Sequence, residues 1–228
     1  MNEADLSSPA NAGDRAQALP SRSIPGPRPS GLLLPNDLPE TVDWNELFGN
    51  DRPVELEVGS GKGLFLANEA ARRPSTNFFG IELARKYATL AAERIAKRGL
   101  ENVRILAGDA LAFLERATPS RSLSGAHVYF PDPWWKRKHR KRRVFGEQLV
   151  RDFERTLIDG AELRVATDVE EYFKVIVALM TRHPAFETLQ PAEVRDPEHE
   201  LDYLTNFERK YRIEGRPIHR QNYRFRAS

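Results

Sequence analysis

Apolar positions along the chain alternate between a period of two and a period near 3.6, and the changes of period mark out the elements. Val54-Glu55-Leu56-Glu57-Val58 alternates apolar and acidic residues and stops at Gly59, the pattern of a half-buried strand. Residues 62–72 then read as a helix, and the short apolar run 77–82 as a second strand. Over 84–98, Ala84, Tyr87, Ala88, Ala91 and Ile95 fall on one helical face, and Gly99 supplies the stop. A third strand is expected over 103–107, a short helix over 111–116 and a fourth strand over 126–130. Residues 144–158 place Phe145, Leu149, Phe153 and Leu157 four apart, a helix with one buried stripe. Asp159-Gly160 reads as a turn and 162–166 as a fifth strand. Tyr172, Val175, Ile176, Leu179 and Met180 mark another amphipathic helix. Two closing antiparallel strands are expected at 186–189 and 218–225, with a short helix near 206–211 between them.

Five alternations of strand and helix predict an α/β domain with a mostly parallel sheet and right-handed crossovers. In such sheets ligands bind beyond the carboxyl ends of the strands, near the point where strand order reverses. Residues 1–40 break the pattern: they hold seven of the sixteen prolines and few aromatic residues. Such a segment buries too little apolar surface to offset its ordering entropy, so 1–40 is expected to be a flexible tail and 41–228 the domain. Leu32-Leu33-Leu34 is a small patch that can dock on the domain.

Composition narrows the class. The chain has 228 residues, 30% of them charged and 40% hydrophobic, which suits one globular domain. It has no cysteine, which excludes a disulfide scaffold, a thiol nucleophile and Cys-built metal sites. His127, His183, His199 and His219 show no metal-ligand spacing, and no metal is expected. No apolar run approaches the roughly 20 residues of a membrane span, and the N-terminus lacks a secretory pattern, so a cytoplasmic protein without membrane association is expected.

Charge is unevenly placed. Residues 136–143, KRKHRKRR, carry +7, and residues 207–228 carry +5. The whole chain carries only +2, so the remainder is at −10. Two basic stretches on an acidic protein point to a polyanionic partner, nucleic acid above all; a solvated charged face is the plainer alternative.

The strand ends carry the candidate chemistry. After the first strand comes Glu57-Val58-Gly59-Ser60-Gly61-Lys62-Gly63. Alternate glycines permit a tight turn and close ligand approach. The spacing is neither the dinucleotide G-x-G-x-x-G nor the G-K-[ST] of a phosphate loop. The acid before the turn repels phosphate and suits a ligand bearing a cation. Glu82 ends the second strand, where a carboxylate accepts from ribose hydroxyls, and Asp109 follows the third, where it can accept from an adenine amino group. Each acid alone also fits a helix N-cap or a surface charge. Together they describe a pocket for an adenosine with a positive charge and no phosphate. The fourth strand runs into Phe130-Pro131-Asp132-Pro133-Trp134-Trp135-Lys136, in which two prolines fix the backbone around Asp132. The tryptophans beside the basic run suit either the core or base stacking. Thr167-Asp168 follows the fifth strand, and Thr205 with Glu208 fits a capping box.

With these residues in view, the chain resembles the bacterial tRNA (guanine-N7-)-methyltransferases, a family within the class I S-adenosylmethionine-dependent methyltransferases. The likeness covers roughly residues 40–228. EVGSGKG at 57–63 marks only the broad class; FPDPWWKRKHRKRR at 130–143, TDVEEY at 167–172 and TNFERKYRIEG at 205–215 are more specific. The resemblance implies a Rossmann-like, seven-stranded, mostly parallel sheet with an antiparallel strand near the C-terminus. It implies S-adenosylmethionine as methyl donor, held by Glu57, Gly59, Gly61, Glu82, Asp109 and Asp132, with Asp132 as the catalytic residue. It implies contacts to tRNA from Lys136, Asp168, Thr205, Asn206, Phe207 and Glu208, and a variable-loop guanosine as the target. The tRNA is expected to lie on the basic loop 136–143 and the basic C-terminus, and the protein to be a monomer or homodimer. The competing expectations are methylation of another RNA base or of rRNA, an NAD-dependent oxidoreductase, and a non-catalytic RNA-binding module.

Overall fold

A computed structural model of the chain describes residues 28–134, 143–190 and 205–227. The strands are β1 (Leu32–Leu33), β2 (Val54–Val58), β3 (Asn77–Glu82), β4 (Val103–Ala107), β5 (Leu123–Tyr129), β6 (Leu157–Thr167), β7 (Phe186–Leu189) and β8 (His219–Phe225). The helices are α1 (Trp44–Phe48), α2 (Leu64–Arg72), α3 (Arg85–Lys97), α4 (Ala110–Ala117), α5 (Glu147–Thr156), α6 (Glu170–Met180) and α7 (Asn206–Ile213). All eight strands form one sheet in the order β1-β4-β3-β2-β5-β6-β8-β7. β8 runs antiparallel to both of its neighbours, and the remaining pairs are parallel. Strand order reverses between β2 and β5, so the crevice at their carboxyl ends is where a ligand is expected.

The alternation in β2 explains how the sheet is covered. Val54, Leu56 and Val58 bury in a core built from α1, α4, α5 and α6 on one face. A second core on the other face joins Phe65, Leu66 and Ala67 of α2 to Ala88, Ala91 and Ile95 of α3. The stripe Phe145, Leu149, Phe153 and Leu157 is buried throughout, and each such side chain contributes about 1.5–3 kcal/mol of burial. Val175 and Tyr87, assigned to buried faces from their spacing, are exposed instead.

Several boundaries differ from the sequence expectation. The sheet has eight strands rather than seven, because Leu32 and Leu33 pair with Ile105 and Leu106 at its edge. Residues 28–40, assigned to a flexible tail, therefore include a strand and a 3-10 turn at Pro35–Asp37. Residues 1–27 lie outside the described residues. Helix α1 was not foreseen; Asp43 caps it by accepting from the amides of Asn45 and Glu46, and Trp44 packs edge-on against Phe79 at 5.2 Å. Asp159-Gly160 does not separate α5 from a later strand. Leu157 already pairs with Leu123, and the extra residues form an irregularity within β6 before Glu162 pairs with Gly125.

Gly63 caps α2 with φ of 69°, and a Cβ placed there would stand 2.8 Å from the Cβ of Ala91 in α3. Left-handed strain and overpacking add, so Gly63→Ala is expected to lower unfolding stability by about 2–4 kcal/mol. Urea unfolding measures this, and a loss under about 1 kcal/mol would show that α2 and α3 are not in close contact.

Candidate active site

The glycine turn after β2 is built from its own amides. Gly59 and Gly61 have φ of 81° and 53°, and a Cβ on either would meet nothing within 4 Å. The glycines are therefore required by backbone conformation, and the space above them is open to a ligand. The amides of Gly59 and Ser60 donate to the Ile81 carbonyl at 2.8 and 3.0 Å. The Gly61 amide donates to Glu82 Oε2 at 2.8 Å, and the Ala84 amide to Oε1 of the same carboxylate at 2.8 Å. A phosphate-binding turn needs such amides pointing at the ligand. Here they are committed internally, which disfavours an anion. Glu82 thus shapes the turn, and each of its oxygens retains a lone pair for a ribose hydroxyl.

Glu57 faces the same crevice from β2. It is only 2% exposed, and its Oε2 has no hydrogen-bond partner among the described residues. Burial, with the Glu82 carboxylate nearby, pushes its carboxyl well above the usual carboxylate range. The buried Ser60 hydroxyl is likewise without a partner among the described residues. A cationic ligand would satisfy Glu57 and restore its charge.

Asp109 caps α4, with Oδ1 accepting from Leu111 and Ala112 at 2.9 and 3.1 Å. The plain capping role is therefore real, and both bonds use one oxygen, so the second remains an acceptor for a ligand amine. Sheet order sets Asp109, Glu82, the glycine turn and Phe130 beyond four adjacent strands. Phe130 has φ of 51°, a left-handed conformation costing about 1–2 kcal/mol for a bulky residue. Its amide donates to the Ala166 carbonyl at 2.7 Å, and Arg143 Nε donates to the Pro133 carbonyl at 2.7 Å. The strained loop is thus tied down on both sides of exposed Asp132, consistent with a fixed carboxylate at the crevice. Lys136 lies outside the described residues, as does the basic run apart from Arg143.

The remaining predicted residues converge on α7. Thr205 caps it by accepting from the Glu208 amide at 3.0 Å. That is the Thr205 half of the capping box. Glu208, 2% exposed, pairs with Arg220 at 2.6 Å and Arg212 at 3.3 Å. Asp168 pairs with Arg216 at 2.5 Å. These acids hold α7 against the sheet. Asn206 opens the helix. Phe207 is exposed and packs against Phe130 and Tyr211 at 6.1 and 6.0 Å.

A buried network on the same sheet face escaped sequence reading. Arg73 makes two bonds to Glu55, at 2.6 and 2.8 Å, and His127 bridges Glu55 and Tyr129 at 2.8 and 2.9 Å. Burial lowers the His127 value against the pull of Glu55, so neutral His127 donates from Nε2 to Glu55 and accepts at Nδ1 from Tyr129. Against its own desolvation, bonds from His127 and Arg73 hold Glu55 well below the carboxylate range. Only the polar residues within β2 and β5 hinted at this. Among the described residues, no cluster of three or more His, Cys, Asp or Glu could hold a metal ion, and no helix is long and apolar enough to cross a membrane.

The strand order, the amide-committed glycine turn and the partnerless buried carboxyl beside it fit S-adenosylmethionine, and they define a class I S-adenosylmethionine-dependent methyltransferase. Solved structures share the fold. The 16S rRNA methyltransferase KamB superposes with a TM-score of 0.58 at 18% identity, covering 82% of this chain and 95% of that one. The aminoglycoside resistance methyltransferase NpmB1 gives 0.53 at 19% identity, covering 79% and 91%. A family described as "Putative methyltransferase" matches residues 51–221. A tRNA (guanine-N(7)-)-methyltransferase of Rhodopirellula baltica is 46% identical over 220 residues, covering 92% of this chain and 81% of that protein. One of Hydrogenovibrio crunogenus is 34% identical over 180 residues, covering 79% and 74%. The chain belongs to the bacterial tRNA (guanine-N7-)-methyltransferase family.

Glu57 yields a pH prediction. A carboxyl whose value is raised on folding keeps its proton where the unfolded chain has lost it, so stability of the ligand-free protein falls as pH rises above the usual carboxylate range. Glu57→Gln removes that fall. A cation binding against Glu57 ionises it, so S-adenosylmethionine binding releases up to one proton and tightens with rising pH. Calorimetry at pH ~5.5, just above the usual carboxylate range, in two buffers of different ionisation heat measures the release. Release by the wild type and none by Glu57→Gln is expected; wild-type heats independent of buffer would contradict it.

Proposed function

We propose that the protein transfers the methyl group of S-adenosylmethionine to N7 of a variable-loop guanosine in tRNA. The buried Glu57 oxygen without a partner, beside a turn whose amides are already committed, carries this reading, because it calls for a cationic, phosphate-free donor. Family membership supplies the acceptor. A tRNA substrate places the activity in the cytoplasm on this reading.

S-adenosylmethionine, when bound, supplies an electrophilic methyl on a cationic sulfur. Guanine N7 has an in-plane lone pair and no proton, so the protein needs no general base. Its task is alignment, which contributes up to about 7–11 kcal/mol in favourable cases. Glu57 faces the positive charge, Glu82 accepts from the ribose and Asp109 from the adenine amino group. Asp132, fixed between two prolines, accepts from the guanine N1–H and amino group and balances the positive charge the purine acquires.

The +7 run at 136–143, including Lys136, supplies the phosphate contacts. The basic C-terminus contributes less than its sequence charge suggests. Lys210, Arg212, Arg216, Arg220, Arg224 and Arg226 all meet carboxylates, among them Glu162, Asp168 and Glu187 from elsewhere in the chain.

Incubation with tRNA and methyl-labelled S-adenosylmethionine, followed by nucleoside analysis, is expected to give 7-methylguanosine; label in another nucleoside, or none, would overturn the assignment. Asp132→Asn should slow single-turnover methylation at saturating tRNA and donor by about a hundredfold or more, and a rate near wild type would remove Asp132 from the chemistry. Affinity for tRNA should fall about a hundredfold or more between roughly 50 and 200 mM salt. A flat titration would contradict phosphate anchoring by the basic run.

A further inference from the structure

Three aromatic rings border the crevice where β5 ends. Phe130, two residues before Asp132, packs against Phe207 at 6.1 Å and Tyr211 at 5.5 Å, and Phe207 and Tyr211 stack at 6.0 Å with 25° between their planes. Tyr211 was not among the residues singled out from sequence. The cluster is held rigidly. Glu208 ties α7 to Arg220 of β8, Thr205 caps the helix, and Arg216 joins Asp168 while lying 4.3 Å over the Tyr211 ring. Phe207 nevertheless remains 49% exposed.

A rigid exposed ring at an active-site rim suits stacking of a base. The reaction adds a second requirement. The N7–carbon bond forms as the carbon–sulfur bond breaks, with its electron pair going to sulfur. One positive charge thereby passes from sulfur to the purine, which becomes a flat, delocalised cation. Aromatic faces attract such cations. This cluster already holds one, the Arg216 guanidinium on Tyr211, and Asp168 neutralises that charge so that it does not oppose another. We propose that the Phe207 ring, backed by Tyr211 and Phe130, stacks on the target guanine and binds it more tightly as it becomes cationic, so that the aromatic cluster contributes to the methyl-transfer rate and not only to tRNA affinity. This rests on the guanine-N7 reading above.

The test uses the full chain with Phe207→Leu, which keeps an apolar side chain of similar size, and Phe207→Trp, which strengthens the ring face. Single-turnover methylation is measured at saturating tRNA and donor, and equilibrium affinity is measured for unmethylated and N7-methylated tRNA. Phe207→Leu should lower the rate about 3- to 30-fold and lose affinity mainly for the methylated tRNA, while Phe207→Trp restores both to wild-type level or above. Equal rates in all three proteins, or equal loss of affinity for both tRNAs in Phe207→Leu, would overturn the inference. Failure of the wild type itself to form 7-methylguanosine would overturn the underlying guanine reading, which the variants do not test.

Discussion

The Glu82 carboxylate accepting two backbone amides, Gly61 on one oxygen and Ala84 on the other, is the interaction on which the site depends. With Gly59 and Ser60 bonded to the Ile81 carbonyl, it commits the donors that a glycine-rich turn would otherwise turn toward phosphate. The same arrangement sets Glu82 beside buried Glu57, where their mutual repulsion and the loss of water leave a carboxyl short of charge compensation. On the proposed reading, two acids and a turn of committed amides therefore select a cation by exclusion as much as by attraction. The glycines matter because only residues tolerating positive φ let the turn close on that carboxylate.

Much of this was legible in the sequence because the fold converts local pattern into position. Alternation in 54–58 identifies the strand, and the rule that ligands sit at carboxyl ends turns Glu57, Glu82, Asp109 and Asp132 into one rim before any coordinates are known. The illegible parts depend on partners remote in sequence or on elements too short to show a period. Two residues, Leu32 and Leu33, cannot display a strand pattern, so the edge strand looked like tail. Trp44–Phe48 is barely one helical turn. His127 meets Glu55 across 72 positions, and nothing local announces it. The left-handed Phe130 is likewise invisible in a string of letters.

Electrostatics shows the same division. Counting charges correctly finds two basic stretches, but the count cannot say which carboxylates they meet. Glu208 satisfies the sequence rule for a capping box, and the fold in addition brings Arg220 and Arg212 to it, which makes it a buried anchor. Asp168 is drawn to Arg216 in the same way. Asp168 and Glu208, both expected to touch RNA, thus also carry ion pairs that fasten α7 and the segment after it, the part of the chain that presents Phe207 and Tyr211. The acid of each pair is buried while its arginine reaches toward solvent, so removing one of these arginines would leave a buried carboxylate short of a partner, which ties α7 to the rim.

The central claim is that the strand-end acids and the committed turn select a cationic, phosphate-free adenosine. The direct measurement compares equilibrium binding of S-adenosylmethionine and ADP to the same protein under identical conditions. Both carry adenosine; one adds a cationic sulfur and the other two phosphates. S-adenosylmethionine is expected to bind at least about tenfold more tightly, corresponding to roughly 1.4 kcal/mol. Equal or tighter binding of ADP would contradict it.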